Sequence, residues 1–532
     1  MKKLLYLFLL GSLFTSCESF LEEQPTTEMD REAIYATEAG ANSILNGCYA
    51  TMTAYDHFGY RYYHTVTITS GLGVSVRSNE NPMTSLQIFP NEVNIEKLYT
   101  GIYKTIGVAN DILEYLPDSK IDSTAKSTIL GEASLIRAIC YFNLVRLYGR
   151  VPLYITPVTS FAEAHQPRAA VEDVYNQILS DLEDAFEMLH APSKQKAGRP
   201  QRYAAKALMS KVYVTMAGND ESSPYWENAY QAALQVKNEG QYQLVYPFTK
   251  LFGAENKNTK ESIFELQFSI VQGGLNLTLV TLPQGNPYTV NSTGGNQWGK
   301  TRPSKQMYDI MSSAYPNDPR IDASMLHTSY YNIEKQKDIN IYPSTRKTPG
   351  ANNDDLEYPF IKKYIDKGFT TTSNCNFVYM RYADVLLLLA EAANETGRTT
   401  EAIETINTLL DRARDKNGDG TFSADEVSPL AWDMSMTKEE VRAKIMRERL
   451  IELVGEADEW FTIRRRGLDA LRTVITDHNN HPAIKDKPQL AKYVYRFPDD
   501  EQSVRRNLLL PFPLSEITTN ESISQDDQNY GY

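Results

Sequence analysis

Cysteine is scarce in this chain: four in 532 residues, at positions 17, 48, 140 and 375. The last three are widely spaced and odd in number, so they define no disulfide framework. Cys140 lies inside a helical apolar pattern and reads as a small buried group. Basic charge is also short. Lys and Arg number 54 against 67 Asp and Glu, a formal net charge of −13, which argues against a nucleic-acid partner because phosphate binding needs a basic face. Tryptophan is rare too, with 4 against 34 tyrosines, and tyrosine's apolar ring with a polar edge suits contact with sugars or protein surfaces. Catalytic signatures are missing: there is no H-E-x-x-H, no G-x-S-x-G and no P-loop. Of the seven histidines only His478 and His481 lie close together, and they read as surface-loop residues with no cysteine or histidine pair to complete a zinc site.

What is present begins at the N-terminus. Lys2 and Lys3 precede a short apolar run, Leu4 to Phe14, and Thr15 and Ser16 stand directly before Cys17. That is the layout of a secretory signal, and the run is too short to cross a bilayer, which takes roughly 20 apolar residues. The small residues before cysteine resemble a bacterial lipoprotein signal. The resemblance implies a signal peptide over 1–16 and an acylated Cys17, whose chains would anchor the protein stably to a membrane. No further long apolar stretch follows, so the membrane is expected to be met through the lipid only.

Helical periodicity organises the rest into pairs. Leu130 to Leu147 is predicted to pack on Val171 to Leu189, Tyr203 to Met216 on Tyr225 to Val236, and Tyr382 to Glu395 on Thr400 to Arg414, with Gly397 at the turn and an earlier helix over Val93 to Leu116. Ala390 and Ala402 allow close helix approach, as in tetratricopeptide units that bury their faces only by stacking. Between the pairs, Gln241 to Asp366 is rich in Gly, Asn, Pro, Thr and Tyr, with short strand-like runs such as Ser262 to Ile270. The expected fold is mainly α: an irregular tetratricopeptide-like helical-pair scaffold with a loop-rich insertion lobe containing short strands.

Four motifs in order carry a family resemblance: GEASLIRAICYFNLVRLYGRVPL (Gly131 to Leu153), RYADVLLLLAEAANETG (Arg381 to Gly397) continued by INTLLDRAR (Ile406 to Arg414), IMRERLIELVGEADEWFTIRRRG (Ile445 to Gly467) and LLLPFPLSEITTNESISQDDQNYGY (Leu508 to Tyr532). The chain resembles the SusD/RagB outer-membrane nutrient-binding lipoproteins, departing from their pattern at Thr462 and Arg466. The resemblance implies one SusD-like domain over 17–532, with the scaffold mainly in 93–240 and 381–470 and a ligand lobe at about 241–366. It implies a surface-exposed, lipid-anchored outer-membrane protein, not an enzyme, that captures oligosaccharide and delivers it to a SusC-like TonB-dependent transporter. A peptide-binding or purely protein-interaction role is the alternative. A glycosidase stays open on sequence alone, because its paired carboxylates are defined in space. Arg137, Arg381, Arg447 and Arg449 are expected to serve the scaffold, capping helices or pairing with Glu132, Glu391, Glu448 and Glu452.

DKNGDGTFSADE, Asp415 to Glu426, fits a calcium loop. Asp415, Asn417, Asp419, Thr421 through its carbonyl, and Glu426 would supply the oxygens of a structural Ca2+ site, although Pro429 interrupts the exiting helix. Sugar recognition wants aromatic platforms beside amides and guanidinium groups. Two segments have that mixture: Asn286 to Pro303, with Tyr288, Asn291, Asn296, Gln297 and Trp298, and Arg61 to Asn81, with Tyr63, His64, Arg77 and Asn79.

Overall fold

A computed structural model describes residues 31–194, 198–272, 274–289, 299–344, 346, 358–369, 371–485 and 500–532. In chain order its main elements are α1 (Glu38–Met52), α2 (Arg61–Ile68), β1 (Gly73–Ser75), α3 (Val93–Tyr115), α4 (Ser123–Tyr148), α5 (Val171–Met188), α6 (Arg202–Ala217) and α7 (Tyr225–Glu239). An insertion follows with β2 (Ser262–Leu266), β3 (Thr301–Pro303), α8 (Lys305–Ala314), α9 (Pro319–Ser324), β4 (Met325–Leu326), β5 (Ser329–Asn332), β6 (Lys337–Asn340), β7 (Phe360–Ile361) and β8 (Phe377–Arg381). The helices resume with α10 (Tyr382–Glu395), α11 (Thr399–Arg414), α12 (Lys438–Glu452), α13 (Glu459–Arg464) and α14 (Gly467–Asn480). The fold is mainly helical, as expected.

Helix packs on helix in an unbroken series: α3 on α4, α4 on α5, α5 on α6, α6 on α7, α7 on α10 and α10 on α11. Small residues set the spacing. Ala204, Ala205 and Ala207 of α6 and Ala229, Ala232 and Ala233 of α7 are buried, and a Cβ on Gly131 would meet the Met188 Cβ at 2.9 Å. Gly397 turns α10 into α11 at φ +81°, where a side chain would be strained. Helix α4 is long and apolar enough to span a membrane, but it is the central helix of the core, buried from Gly131 to Tyr148. It starts earlier than its apolar stripe, because Asp122 caps the polar first turn by accepting from the backbone N–H of Thr124 and Ala125.

The insertion leaves and returns through one neck. Strand β2 pairs antiparallel with β8, so that α10 lies directly against α7. Three further two-stranded antiparallel sheets occur among the described residues: β1–β3, β4–β7 and β5–β6.

Buried ion pairs clamp this neck. Arg381 reaches Glu261 at 2.7 Å, Glu452 at 2.7 Å and Glu456 at 2.8 Å. Arg412 of α11 binds Glu261 at 2.9 Å and also Glu452. From the lobe, Arg320 contacts Asp318 at 2.8 Å, Glu448 at 2.6 Å and Glu452 at 2.8 Å, and Lys363 contacts Glu456 at 2.6 Å. Burial opposes ionisation of Glu452, yet Arg412, Arg381 and Arg320 outweigh it and hold its carboxyl far below the ordinary range. The two departures from the family pattern join the same machinery. Thr462 donates to Asp458 at 2.6 Å, and Arg466 pairs with Glu391 at 2.6 Å. Expected partners change elsewhere: Arg137 pairs with Asp181 and Arg449 with Asp384 and Asp458, while Glu132 takes Arg199. His478 and His481 are buried rather than in a surface loop, and His481 lies 2.8 Å from Asp309.

Two outcomes follow. Arg381→Met removes the one cation shared by Glu261, Glu452 and Glu456, leaving Arg412, Arg320 and Lys363 to balance them, and is expected to cost about 3–5 kcal/mol in denaturant unfolding, since losing a buried cation leaves excess negative charge; a loss below about 1 kcal/mol would contradict that role. Glu459 is the second case. Burial pushes its carboxyl up to about 7, with Asp458 adding to the shift and the Gly455 N–H and Lys363 opposing it. The folded chain therefore holds this proton more tightly than the unfolded chain, a stabilisation complete below about pH 4.5 and lost as pH rises to 7. Glu459→Gln keeps an acceptor for Gly455, and should match the parent near pH 4 but exceed it by up to about 3 kcal/mol at pH 8. Identical pH profiles would contradict this assignment.

Candidate functional site

The two segments selected by composition are hydrogen-bonded to each other. Strand β1, from the first, pairs with β3, from the second, in the register Gly73–Pro303, Val74–Arg302 and Ser75–Thr301. Beneath this ribbon three rings run from the surface inward. Tyr55, 43% exposed, stacks on buried Tyr60 at 4.7 Å and 25°. Tyr60 stacks in turn on His64 at 4.9 Å and 18°.

Polar groups lock the inner end of the ladder. His64 Nδ1 meets Thr301 Oγ1 at 2.7 Å, and its Nε2 faces Glu80 at 3.2 Å. Burial lowers the His64 pKa, against the pull of the Glu80 carboxylate. Glu80 also takes Lys300 at 2.8 Å and the Ser75 hydroxyl. Burial disfavours its charge, but His64, Lys300 and Ser75 together hold the carboxyl well below the usual range. Lys300 Nζ also sits 4.9 Å from the Tyr60 ring. At the outer end, Arg61 lies 5.5 Å from the Tyr55 ring and is fixed by Asp56 at 2.7 Å and Asn94 at 2.6 Å. An exposed aromatic face flanked by guanidinium, carboxylate and amide groups can stack on an apolar face and hydrogen-bond around its edge.

The chosen residues divide accordingly. Arg77 and Asn79 are exposed beside the ribbon. Tyr63 and His64 are fully buried, and this corrects the expectation that they meet ligand: α2 is covered on both sides, with every residue from Tyr62 to Ile68 buried. His64 acts as a support instead. Tyr288 is half-buried on a different patch, packed against Leu326, Ile341 and Phe360, with Lys362 Nζ 5.4 Å from its ring. Cys17, Asn291, Asn296, Gln297 and Trp298 lie outside the described residues. Tyr55 was not among the residues selected from the sequence, although the aromatic run Tyr55–Tyr63 contains it.

The chain belongs to the SusD family, whose profile matches residues 226–532. A second profile, described as starch-binding and associating with the outer membrane, matches residues 19–214. A SusD-like protein of Formosa agariphila is 26% identical over 530 residues, covering 96% of each chain. A SusD homolog from Bacteroides thetaiotaomicron superposes with a TM-score of 0.78 at 20% identity, over 95% of this chain and 99% of that one. A laminarin-binding SusD-like protein superposes with a TM-score of 0.69 at 21% identity, over 94% of this chain and 100% of that one.

The expected calcium loop is built differently from a cation cage. Asp415 accepts from the N–H of Gly418 at 2.5 Å and of Gly420 at 2.9 Å. Glu426 accepts from the N–H of Lys416 and of Ser423, both at 2.7 Å, and Asp419 from that of Thr421 at 2.9 Å. The carboxylates thus satisfy the loop's own backbone. Asn417 and the Thr421 carbonyl are left without an acidic partner set, since no group of three or more His, Cys, Asp or Glu side chains among the described residues is placed to hold a metal ion. Titration with Ca2+ is expected to leave the thermal midpoint unchanged; a rise reversed by chelator would show that the loop rearranges around a cation.

Proposed function

We propose that this protein captures oligosaccharides on the exposed Tyr55 ring, at the outer end of the stack held by the buried β1–β3 ribbon, and delivers them to a SusC-like TonB-dependent outer-membrane transporter, without cleaving them. In this reading the lipid on Cys17 holds the chain to the outer membrane at the cell surface. The observation that carries the proposal is the exposed Tyr55 ring, backed by Tyr60 and His64 and flanked by Arg61 and Asp56. A stacked, buttressed ring offers a flat apolar face at little cost in side-chain freedom, and the neighbouring charged groups can hydrogen-bond to hydroxyls. The starch-binding description of the N-terminal profile and the laminarin-binding neighbour support a glycan as the ligand class.

Isothermal titration against a panel of neutral oligosaccharides and peptides tests this. At least one oligosaccharide should bind, and Tyr55→Ala should weaken it roughly tenfold, the size of a lost aromatic anchor. Absence of oligosaccharide binding by folded protein, or affinity indifferent to Tyr55→Ala, would overturn the proposal.

A further inference from the structure

A concavity lies in the insertion lobe, and no residue of the β1–β3 ribbon lines it. It encloses about 1010 Å³, at the upper end for small-molecule sites. One wall comes from α8, α9 and the turn between them, the other from 249–256 and 362–367. Tyr308 and His327 stand together in it with ring centroids 5.1 Å apart, presenting aromatic surface to the opening.

Its charge runs against that of the molecule. In a chain of net charge −13, four lysines line this cleft: Lys250, Lys362, Lys367 and Lys416. Three carboxylates accompany them, and one, Asp318, is buried and committed to Arg320 at 2.8 Å. Asp322 is held by His327 at 2.8 Å. Lys367 and Glu255 pair at 3.2 Å, both about 70% exposed, an arrangement easily exchanged for another anion. Lys416 pairs at 3.4 Å with Asp425, which does not line the cleft. Lys250 has no carboxylate within ion-pair distance among the described residues, and Lys362 donates to the Asp322 carbonyl at 2.5 Å, with the Asp322 carboxylate acting on it only through space. A half-buried ammonium that donates to a backbone oxygen has two further N–H donors for an anion.

We propose that this cleft is a second glycan site, selective for an acidic sugar: a carboxylate or sulfate group seats among Lys250, Lys362 and Lys367 while the sugar ring lies against Tyr308 and His327. The proposal rests on the glycan reading for the polymer class and on the lysines for its charge. It would let one chain hold a mixed polymer by neutral units at Tyr55 and acidic units here.

The test is isothermal titration of the full chain with trigalacturonate, with a sulfated carrageenan tetrasaccharide, and with maltotriose as the neutral control. At least one acidic probe should bind, more weakly as salt rises from low to 0.5 M. Affinity should fall about tenfold in K250Q/K362Q/K367Q and severalfold in K250Q/K367Q, which changes only exposed side chains and so cannot be confused with misfolding. Tyr55→Ala should leave it unchanged. Which acidic probe binds assigns carboxylate or sulfate. Failure of both to bind, affinity equal to maltotriose's, or a loss produced by Tyr55→Ala instead of the lysine variants would overturn the site, and the neutral-panel result at Tyr55 stands or falls separately.

Discussion

Glu452 is the point on which the architecture turns. Its carboxylate is fully buried and receives guanidinium groups from three places in the chain: Arg320 in the lobe, Arg381 at the neck and Arg412 in α11. Such clusters contribute little net stability, because desolvation consumes most of the attraction. Their contribution here is geometric. Each guanidinium has a fixed fork of donors, so the lobe can dock on the helices in one orientation only, with Glu261 and Glu456 completing the set.

That clamp separates two tasks. The stacked helices bury apolar stripes and small residues and leave no need for chemistry at their surfaces. In the function proposed above, recognition uses what the frame positions: the exposed Tyr55 ring, at the end of a stack running to His64 and held by a buried ribbon that joins residues 73–75 to 301–303, far apart in sequence. Glu80, ionised and held by Lys300, His64 and Ser75, fixes the underside of that ribbon. A platform so supported is already in place before ligand arrives, and less ordering remains to be done on binding.

Much of the helical frame was legible in the sequence, because apolar side chains recur at helical spacing wherever a helix packs on neighbours. Its ends were less so: the first turn of α4 is polar and declared only by the Asp122 cap. Ion-pair partners were illegible, since Arg137 meets Asp181 and not the nearby Glu132 for reasons set by packing across helices. At the site, composition found both segments that form the ribbon but chose Tyr63 and His64 over Tyr55. Polar and aromatic letters look alike whether a helix is open on one side or, like α2, enclosed on both. The Asp415–Glu426 loop shows the converse: the letters of a cation site are present, but its carboxylates close on the loop's own amides.

The division between inert frame and appended recognition face is tested most directly by hydrogen–deuterium exchange on the intact chain, with and without a saturating oligosaccharide. Slowed exchange should appear in residues 55–61, 73–81 and 299–303, while helices α4 to α7 exchange as before. Protection confined to the helical stack, with the ribbon unaffected, would contradict it.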